Sequence, residues 1–282
     1  MTTTQDLERR IGDWMRAHLP NAVMEFMVFW IKQAWASIYS IILLFGIYFS
    51  SQIWQADWAL TRYDALVIWA VGWQIIMLVF KLETLQEAKV ILLFHLIATV
   101  MEVFKVNAGS WHYPEEGYLK LLNVPLFSGF MYASVGSYLA RVIRLFDMRF
   151  SQYPPFWMTL LLASAIYVNF FTHHFLPDLR WILFAATILL FFRTRILFRI
   201  GQKFYGWPLP AAALLSSFFM WLAENVGTIS ATWLYRGQTP DQWVSLSKLG
   251  SWYLLLYVSF VSVTLVTREV MQRRAPETYK PL

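Results

Sequence analysis

The sequence from Glu102 to Tyr113 is Glu-Val-Phe-Lys-Val-Asn-Ala-Gly-Ser-Trp-His-Tyr, and a related pattern returns from Glu224 to Tyr235. In both stretches a glutamate lies near the end of a long apolar segment, with a tryptophan nine residues later and a tyrosine eleven residues later. The two glutamates are 122 positions apart (224 − 102). Because three residue types agree in order and spacing, the pattern predicts that the second half of the chain is a diverged copy of the first.

A second echo follows each of these stretches. The next apolar segment carries Tyr-x-Ser-x-x-Ser in both halves, as Tyr132, Ser134 and Ser137 and then as Tyr257, Ser259 and Ser262. The alternative is a chance match, since Trp, Tyr and Ser are frequent in this chain. The agreement across two separate segments favours the repeat.

The composition indicates a membrane protein. Hydrophobic residues make up 58% of the chain and charged residues 14%, whereas a soluble domain carries about 25% charged residues. The absence of cysteine excludes disulfides and thiolate metal sites. The net charge of +6 is explained by the placement of basic residues in loops, so no nucleic-acid partner is predicted.

Eight apolar segments, each near the ~20 residues that cross a bilayer, centre on residues 34–54, 63–80, 88–105, 121–140, 155–172, 178–192, 208–230 and 250–267. They predict an all-α fold, a polytopic transmembrane helix bundle of about eight spans in two parallel four-helix repeats. The repeats would cover residues 34–150 and 151–274. Residues 1–33 are predicted to form an N-terminal amphipathic, cytoplasmic segment with an interfacial helix over 7–19, and residues 275–282 a cytoplasmic tail.

Basic residues predict the orientation. Loops on one side of the predicted spans, together with both termini, hold 17 of the 23 Lys and Arg residues. Positively charged loops stay cytoplasmic, so both termini are expected inside the cell and the protein in the inner (plasma) membrane. Glu102 and Glu224 would then lie toward the outer ends of their helices.

A carboxylate inside a spanning helix costs about 2.5–3.5 kcal/mol on insertion scales, so it usually has a partner or a function. We predict a polar cavity between the two halves in which Glu102 and Glu224 are catalytic. The alternative is that Glu102 pairs with Lys105 or lies among lipid headgroups. Eight further residues are predicted to bind the substrate: His95, Asn107, Trp111, Tyr113, Tyr132, Asn225, Trp233 and Tyr235.

Histidines and carboxylates near the predicted outer side raise the question of a metal. His173, His174 and Asp178 are the candidates, although adjacent histidines on a helix point in different directions. The alternative is interfacial histidines that face water, and no metal or other cofactor is predicted. Glu115 and Glu116 are expected in a solvated outer loop, where neither would matter for function.

Several runs of this chain resemble a bacterial integral-membrane family known as domain of unknown function 817. They are Met101-Glu-Val-Phe-Lys, Gly109-Ser-Trp-His-Tyr-Pro, the stretch from Val124 to Tyr138, Tyr153-Pro-Pro, Ile166-Tyr-Val-Asn-Phe-Phe-Thr-His-His-Phe and Ala223-Glu-Asn. The resemblance implies a multi-pass bacterial membrane protein and brings no activity with it.

A shorter stretch is similar to membrane-bound carotenoid hydratases and cyclases, which carry an acidic residue, a glycine, an aromatic stretch ending in tyrosine, and Val-Pro. Glu102, Gly109, Tyr113 and Val124-Pro125 follow that order. The resemblance implies redox-neutral acid–base chemistry on an isoprenoid chain. The expected partners are membrane lipids and a hydrophobic substrate. The alternatives are a carrier of a small solute or lipid, and an assembly subunit without a site.

Overall fold

The computed structural model describes residues 20–55, 57–201 and 203–266. Nine helices form within these residues: α1 (Asn21–Ala36), α2 (Ile38–Ile53), α3 (Arg62–Val79), α4 (Leu85–Asn107), α5 (Phe127–Leu145), α6 (Phe156–Thr172), α7 (Arg180–Phe191), α8 (Leu209–Ile229) and α9 (Leu246–Val266). The predicted interfacial helix over 7–19 and the predicted tail over 275–282 lie outside the described residues. Helix α1 begins at Asn21, so part of the predicted cytoplasmic segment 1–33 is helical.

The protein is a mostly helical membrane protein. Within the described residues, α3, α4, α8 and α9 are long and apolar enough to cross a bilayer. Helices α1 and α2 add a fifth candidate span if they act together, although they are bent by 64° at the break between them. Helices α6 and α7 are apolar but shorter, with 17 and 12 residues. The eight predicted segments coincide with α2 to α9, but among the described residues only four or five candidate spans are both long and apolar enough to cross a bilayer. Helix α5 has 19 residues and is not among them.

Short strands make the fold mostly helical rather than all-α. Strand β1 (Trp111–His112) pairs antiparallel with β7 (Leu234–Tyr235), and β2 (Lys120–Leu121) with β3 (Val124–Pro125). Strand β4 (Arg149–Ser151) joins the hairpin of β5 (Arg195–Ile200) and β6 (Lys203–Pro208). None of these strands was predicted. Strands β1 to β4 have two or three residues, too few to show a period of two, and the six-residue strands β5 (Arg-Ile-Leu-Phe-Arg-Ile) and β6 (Lys-Phe-Tyr-Gly-Trp-Pro) do not alternate strictly between apolar and polar residues.

Helix packing follows a pattern that recurs. In the first half, α4 packs on α5, α2 packs on α3, and both α2 and α3 contact α5. In the second half, α8 packs on α9, α6 packs on α7, and both α6 and α7 contact α9.

Small residues allow the closest approach between α4 and α5. A Cβ atom at Gly129 would lie 2.3 Å from Nδ1 of His95, and one at Gly136 would lie 2.8 Å from the ring of Phe94.

A buried ion pair holds the other end of this helix pair. A guanidinium nitrogen of Arg141 lies 3.1 Å from Oε1 of Glu83, and neither side chain is exposed to solvent. The hydroxyl of Ser137 and the amide of Gln74 also donate to the Glu83 carboxylate, at 2.6 and 2.5 Å. Charges this deep in a low-dielectric region need such partners.

Candidate functional site

The two motif helices end in the same kind of turn. In α4 the N–H of Ser110 donates to the carbonyl of Lys105 and the N–H of Gly109 to that of Val106, with Gly109 at φ +70°. In α8 the N–H of Thr232 donates to Gly227 and that of Ala231 to Thr228, with Ala231 at φ +49°. This is the Schellman ending, in which a left-handed residue reverses the chain after the last helical turn. The reversal returns the tryptophan and the tyrosine of each motif toward the glutamate.

Glu102 lies at the end of this arrangement in the first half. Its side chain is 2% exposed and accepts hydrogen bonds from the Trp111 indole N–H at 2.7 Å and from the Tyr113 hydroxyl at 2.6 Å. Lys105, the partner considered for Glu102 from the sequence, contacts other residues instead. The carboxylate is therefore held by two neutral donors, one on each oxygen.

Glu224 has the same partners in the second half, with one addition. It is 6% exposed, and its Oε1 accepts from the Trp233 indole at 2.7 Å and from the Tyr235 hydroxyl at 2.9 Å. Its Oε2 accepts from the indole of Trp252 on α9 at 2.9 Å. Trp252 also stacks on Tyr132, with the ring centroids 5.9 Å apart.

Both tyrosines act as hydrogen-bond donors to these carboxylates. Burial raises the pKa of the Tyr113 hydroxyl well above its usual value, and the charge of Glu102 raises it further. Burial and the charge of Glu224 do the same to the pKa of Tyr235. Each hydroxyl therefore keeps its proton at neutral pH.

The two motifs meet in the β1–β7 ladder. Trp111 is opposite Tyr235, and His112 is opposite Leu234. Positions 112 and 234 are 122 apart (234 − 112), the same offset that separates the two glutamates. A twofold axis between His112 and Leu234 would therefore exchange the two strands without changing their register.

A cavity of about 510 Å³ lies beside this ladder. Both glutamates line it, together with Trp111, Tyr113, Tyr132, Trp233, Tyr235 and Trp252. The remaining wall is mostly apolar and comes from α1, α2, α5 and α8. Seven of the ten predicted site residues are thus brought to one cavity: Glu102, Trp111, Tyr113, Tyr132, Glu224, Trp233 and Tyr235.

Three predicted substrate-binding residues lie elsewhere. His95 packs against Gly129 between α4 and α5. Asn107 is exposed and donates to the carbonyl of Val103 in its own helix. The side chain of Asn225 is buried, donates to the carbonyl of Trp221 and accepts from the N–H of Val244, so it holds the segment before α9.

A lysine ammonium lies beside the two histidines that were candidate metal ligands. Within the described residues no group of three or more His, Asp or Glu side chains could hold a metal ion. The Lys105 ammonium lies 3.3 Å from Nε2 of His173 and 3.1 Å from Nε2 of His174. Asp178 pairs instead with Arg180 at 3.2 Å. Burial lowers the pKa of both imidazoles, and the charge of Lys105 lowers each further, so both are neutral at pH 7.

Glu115 differs from its expected role as a solvated loop residue. Its carboxylate accepts from Nε of Arg62 at 2.8 Å, and that guanidinium is buried. Arg62 also reaches the hydroxyl of Thr232 at 3.3 Å, so Glu115 helps to hold the turn that follows α8. Glu116 is exposed, as expected.

Sequence reasoning missed two contributors to the cavity. Trp252 appeared in the sequence as one of many interfacial aromatic residues, whereas the Tyr-x-Ser-x-x-Ser echo singled out Tyr257 as the counterpart of Tyr132. The structure places Tyr257 in a buried apolar cluster and Trp252 against Glu224. The wall from α1 was also missed, because residues 21–33 were assigned to a cytoplasmic segment. No short motif marks either contribution.

Comparisons with known proteins identify relatives and structural neighbours. A family model described as "Protein of unknown function (DUF817)" matches residues 25–260. The uncharacterised protein YoaT of Bacillus subtilis (strain 168) is 48% identical over 206 residues, which are 72% of this chain and 78% of that protein.

Two crystal structures of MvINS, a mycobacterial Insig homolog from Mycobacterium vanbaalenii, are similar at 12% identity. One is a cross-linked trimer, with a TM-score of 0.47 over 66% of this chain and 95% of that one. The other has a TM-score of 0.45 over 66% and 97%.

Proposed function

The chain belongs to the family described as "Protein of unknown function (DUF817)", and we propose that it is a redox-neutral acid–base enzyme acting on an isoprenoid or another lipid within the bilayer. The observation that carries the proposal is the arrangement of Glu102 and Glu224. Both carboxylates line one cavity, and each is oriented by a tryptophan and a tyrosine.

The shape and lining of the cavity suit an apolar chain. Its volume of about 510 Å³ falls in the range of ~300–1,000 Å³ that is common for ligand pockets. Lining residues on α5 run from Ser128 to Tyr138, a separation of ten residues (138 − 128) that spans about 15 Å at the helical rise. Those on α8 run from Leu215 to Glu224 along one stripe. A chain lying between these helices would have its reacting end at the carboxylates.

The two carboxyl groups would have different tasks. Glu224 accepts three hydrogen bonds. Glu102 accepts two, from Trp111 and Tyr113, and has a weaker contact with the hydroxyl of Tyr132. We assign the proton donor to Glu102 and the proton acceptor to Glu224, since donors stabilise a carboxylate in its ionised form. Protonating a carbon–carbon double bond leaves a carbocation, and the faces of Trp111 and Tyr235 could stabilise that charge. Loss of a proton from a neighbouring carbon completes an isomerisation in which no electron is gained or lost.

The same proposal includes the two-repeat architecture. Helices α2–α5 and α6–α9 would be parallel repeats about an axis along the membrane normal, with about eight spans and both termini in the cytoplasm of a bacterial cell. Supporting observations are the recurring helix contacts, the matched endings of α4 and α8, and the symmetric register of β1 and β7. Catalysis would then use one carboxylate from each repeat.

A carrier of a small solute or lipid is the second candidate. The bend between α1 and α2 favours it, because Ser37 at the break lines the cavity. Broken helices next to a binding site are typical of secondary transporters.

The test compares lipid extracts of cells with and without the protein by mass spectrometry, with solute uptake measured in parallel. We expect Glu102→Gln and Glu224→Gln each to abolish the lipid change while the protein remains folded in the membrane. The double variant should lose little more than either single one, since residues that act as a unit are not additive.

The matched control is Glu116→Gln, which removes an exposed carboxylate from the loop after α4 and should leave the lipid change intact. Full activity of both core variants would refute the enzyme. A lost solute uptake with unchanged lipids would instead favour the carrier.

A further inference from the structure

A second polar cluster lies beside the β1–β7 ladder, outside the cavity. It centres on Lys105 in the last turn of α4, whose side chain is only 4% exposed. The Schellman turn brings Ser110 next to it, and the hydroxyl of Ser110 lies 3.4 Å from Nε2 of His174. Lys105, Ser110 and His174 do not line the cavity, so they are separate from the proposed acid–base site.

The hydrogen bonds of the histidines define their protonation. Nδ1 of His173 lies 2.8 Å from the backbone carbonyl of Asn169, which can only accept, so Nδ1 carries the hydrogen. Nε2 of His173 is then a lone-pair acceptor facing the Lys105 ammonium. Neutral imidazoles therefore surround the ammonium and bring no negative charge to it.

Other cations lie close to Lys105. Lys248 and Arg180 both repel its charge, and the carboxylate of Asp178 attracts it less strongly than they repel it. The carboxylate of Glu224 acts on Lys248 in turn. The ammonium of Lys248 lies 4.0 Å above the ring of Tyr235. In the part of the chain that the structure describes, no carboxylate lies within 4.0 Å of the ammonium of Lys105 or Lys248, and Asp178 is paired with Arg180.

The positive charge of this cluster favours an anionic ligand over a metal cation. A divalent metal at the two imidazoles would have to displace a buried ammonium or sit beside it, so repulsion disfavours a cation. A buried charge without a counter-charge is costly, and an anion that reaches it removes that cost. His174 is exposed and Ser110 half-buried, so a ligand can approach the ammonium from their side.

We propose that Lys105, Lys248, His174 and Ser110 form a binding site for a phosphate group. The two ammonium groups supply charge, and the hydroxyl of Ser110 supplies a neutral donor. When a phosphate binds, the imidazole of His174 can take up a proton and become a further donor. The phosphate comes either from the headgroup of a membrane lipid or from solution.

The experiment measures ligand binding to the full-length protein purified in an uncharged detergent, by native mass spectrometry. The probes are phosphatidic acid, diacylglycerol with the same acyl chains, and inorganic phosphate. We expect phosphatidic acid to bind at least tenfold more tightly than diacylglycerol, since a hydrogen bond to a charged group is worth about a factor of ten or more. Equal binding of inorganic phosphate and phosphatidic acid would identify soluble phosphate as the source.

Variants locate the site. Lys105→Gln and Lys248→Gln should each weaken phosphatidic acid binding about tenfold, whereas Lys105→Arg should retain most of it. The control is Arg193→Gln, which removes an exposed positive charge just after α7, at the opposite end of that helix from Arg180, and should leave binding unchanged.

Should Lys105→Gln fail to fold, Lys248→Gln carries the test alone. Two results would overturn the proposal. One is a wild-type protein that binds phosphatidic acid no more tightly than diacylglycerol and does not bind inorganic phosphate. The other is unchanged affinity in both glutamine variants.

Discussion

The first motif, Glu102 to Tyr113, and the second, Glu224 to Tyr235, make the same hydrogen bonds but differ in how deeply their tryptophans lie. Trp233 is buried, whereas Trp111 is half-buried. The difference originates one helical turn after the glutamate, where the first motif has Lys105 and the second has Gly227, again 122 positions apart (227 − 105).

Gly227 explains the deeper tryptophan. A Cβ atom at this position would lie only 1.9 Å from Cη2 of Trp233, so the indole occupies space that any other residue would fill. In the first motif, Lys105 fills the corresponding position and directs its ammonium to His173 and His174. One motif therefore uses the position for packing and the other for charge, while the shared spacing keeps both carboxylates in one cavity.

The largest effect on stability is expected from a substitution at Gly227. Gly227→Ala should displace Trp233 and cost about 1–3 kcal/mol through overpacking, with a further ~1–3 kcal/mol if the bond to Glu224 is lost. Thermal denaturation in detergent measures the loss. Gly72→Ala in α3 is the matched control, because a Cβ there meets nothing within 4 Å, and it should be neutral or slightly stabilising. A melting temperature of Gly227→Ala equal to the wild type would contradict this packing.

Replacing each tryptophan with phenylalanine compares the two motifs directly. Both changes remove an indole donor at 2.7 Å. Trp233→Phe should destabilise the protein more, by roughly 1 kcal/mol or above, because it also opens a void beside Gly227. Trp111→Phe should affect Glu102 more, because that carboxylate then keeps Tyr113 and a weaker contact with Tyr132. Glu224 would keep Tyr235 and Trp252. The melting temperatures and the lipid assay report the two effects separately.

A double variant tests the cause. In Trp233→Phe/Gly227→Ala the new methyl group can occupy space left by the indole, so the two losses should sum to more than the loss of the double variant. Strict additivity would show that Gly227 and Trp233 do not share a packing site.

The smallest effect is expected at the left-handed residue of each turn. Gly109→Ala should cost below about 1 kcal/mol. No neighbour lies within 4 Å of its Cβ, and the backbone strain of about 1–2 kcal/mol at φ +70° is partly offset by the lower freedom of the unfolded chain. Ala231→Gly relieves that strain at φ +49° but adds freedom to the unfolded chain, so a net gain below about 1 kcal/mol is expected. Denaturation midpoints of the two variants should move in opposite directions, and a shift of both in one direction would remove the parallel between the turns.

Sequence alone determined the class and the local geometry of the motifs. An apolar content of 58% with 14% charged residues indicated a membrane protein, and apolar segments marked the positions of α2 to α9. The spacing of each glutamate from its tryptophan and tyrosine was visible in the sequence, although the hydrogen bonds between them were not predicted. A helix end and a left-handed turn between them are local features, so their spacing carries the contact.

Only the tertiary structure shows which residues meet between the two halves of the chain. Trp252 is 28 residues from Glu224, and Arg62 is 53 from Glu115; neither separation has a local rule. Helices that are apolar on all sides show no amphipathic period, so the sequence does not reveal which face of α1 lines the cavity or that Asn225 faces Val244. The meeting of Lys105 with His173 and His174 has the same origin, because helix packing brings α4 and the end of α6 together and only that packing puts a cation where the histidines had suggested a metal.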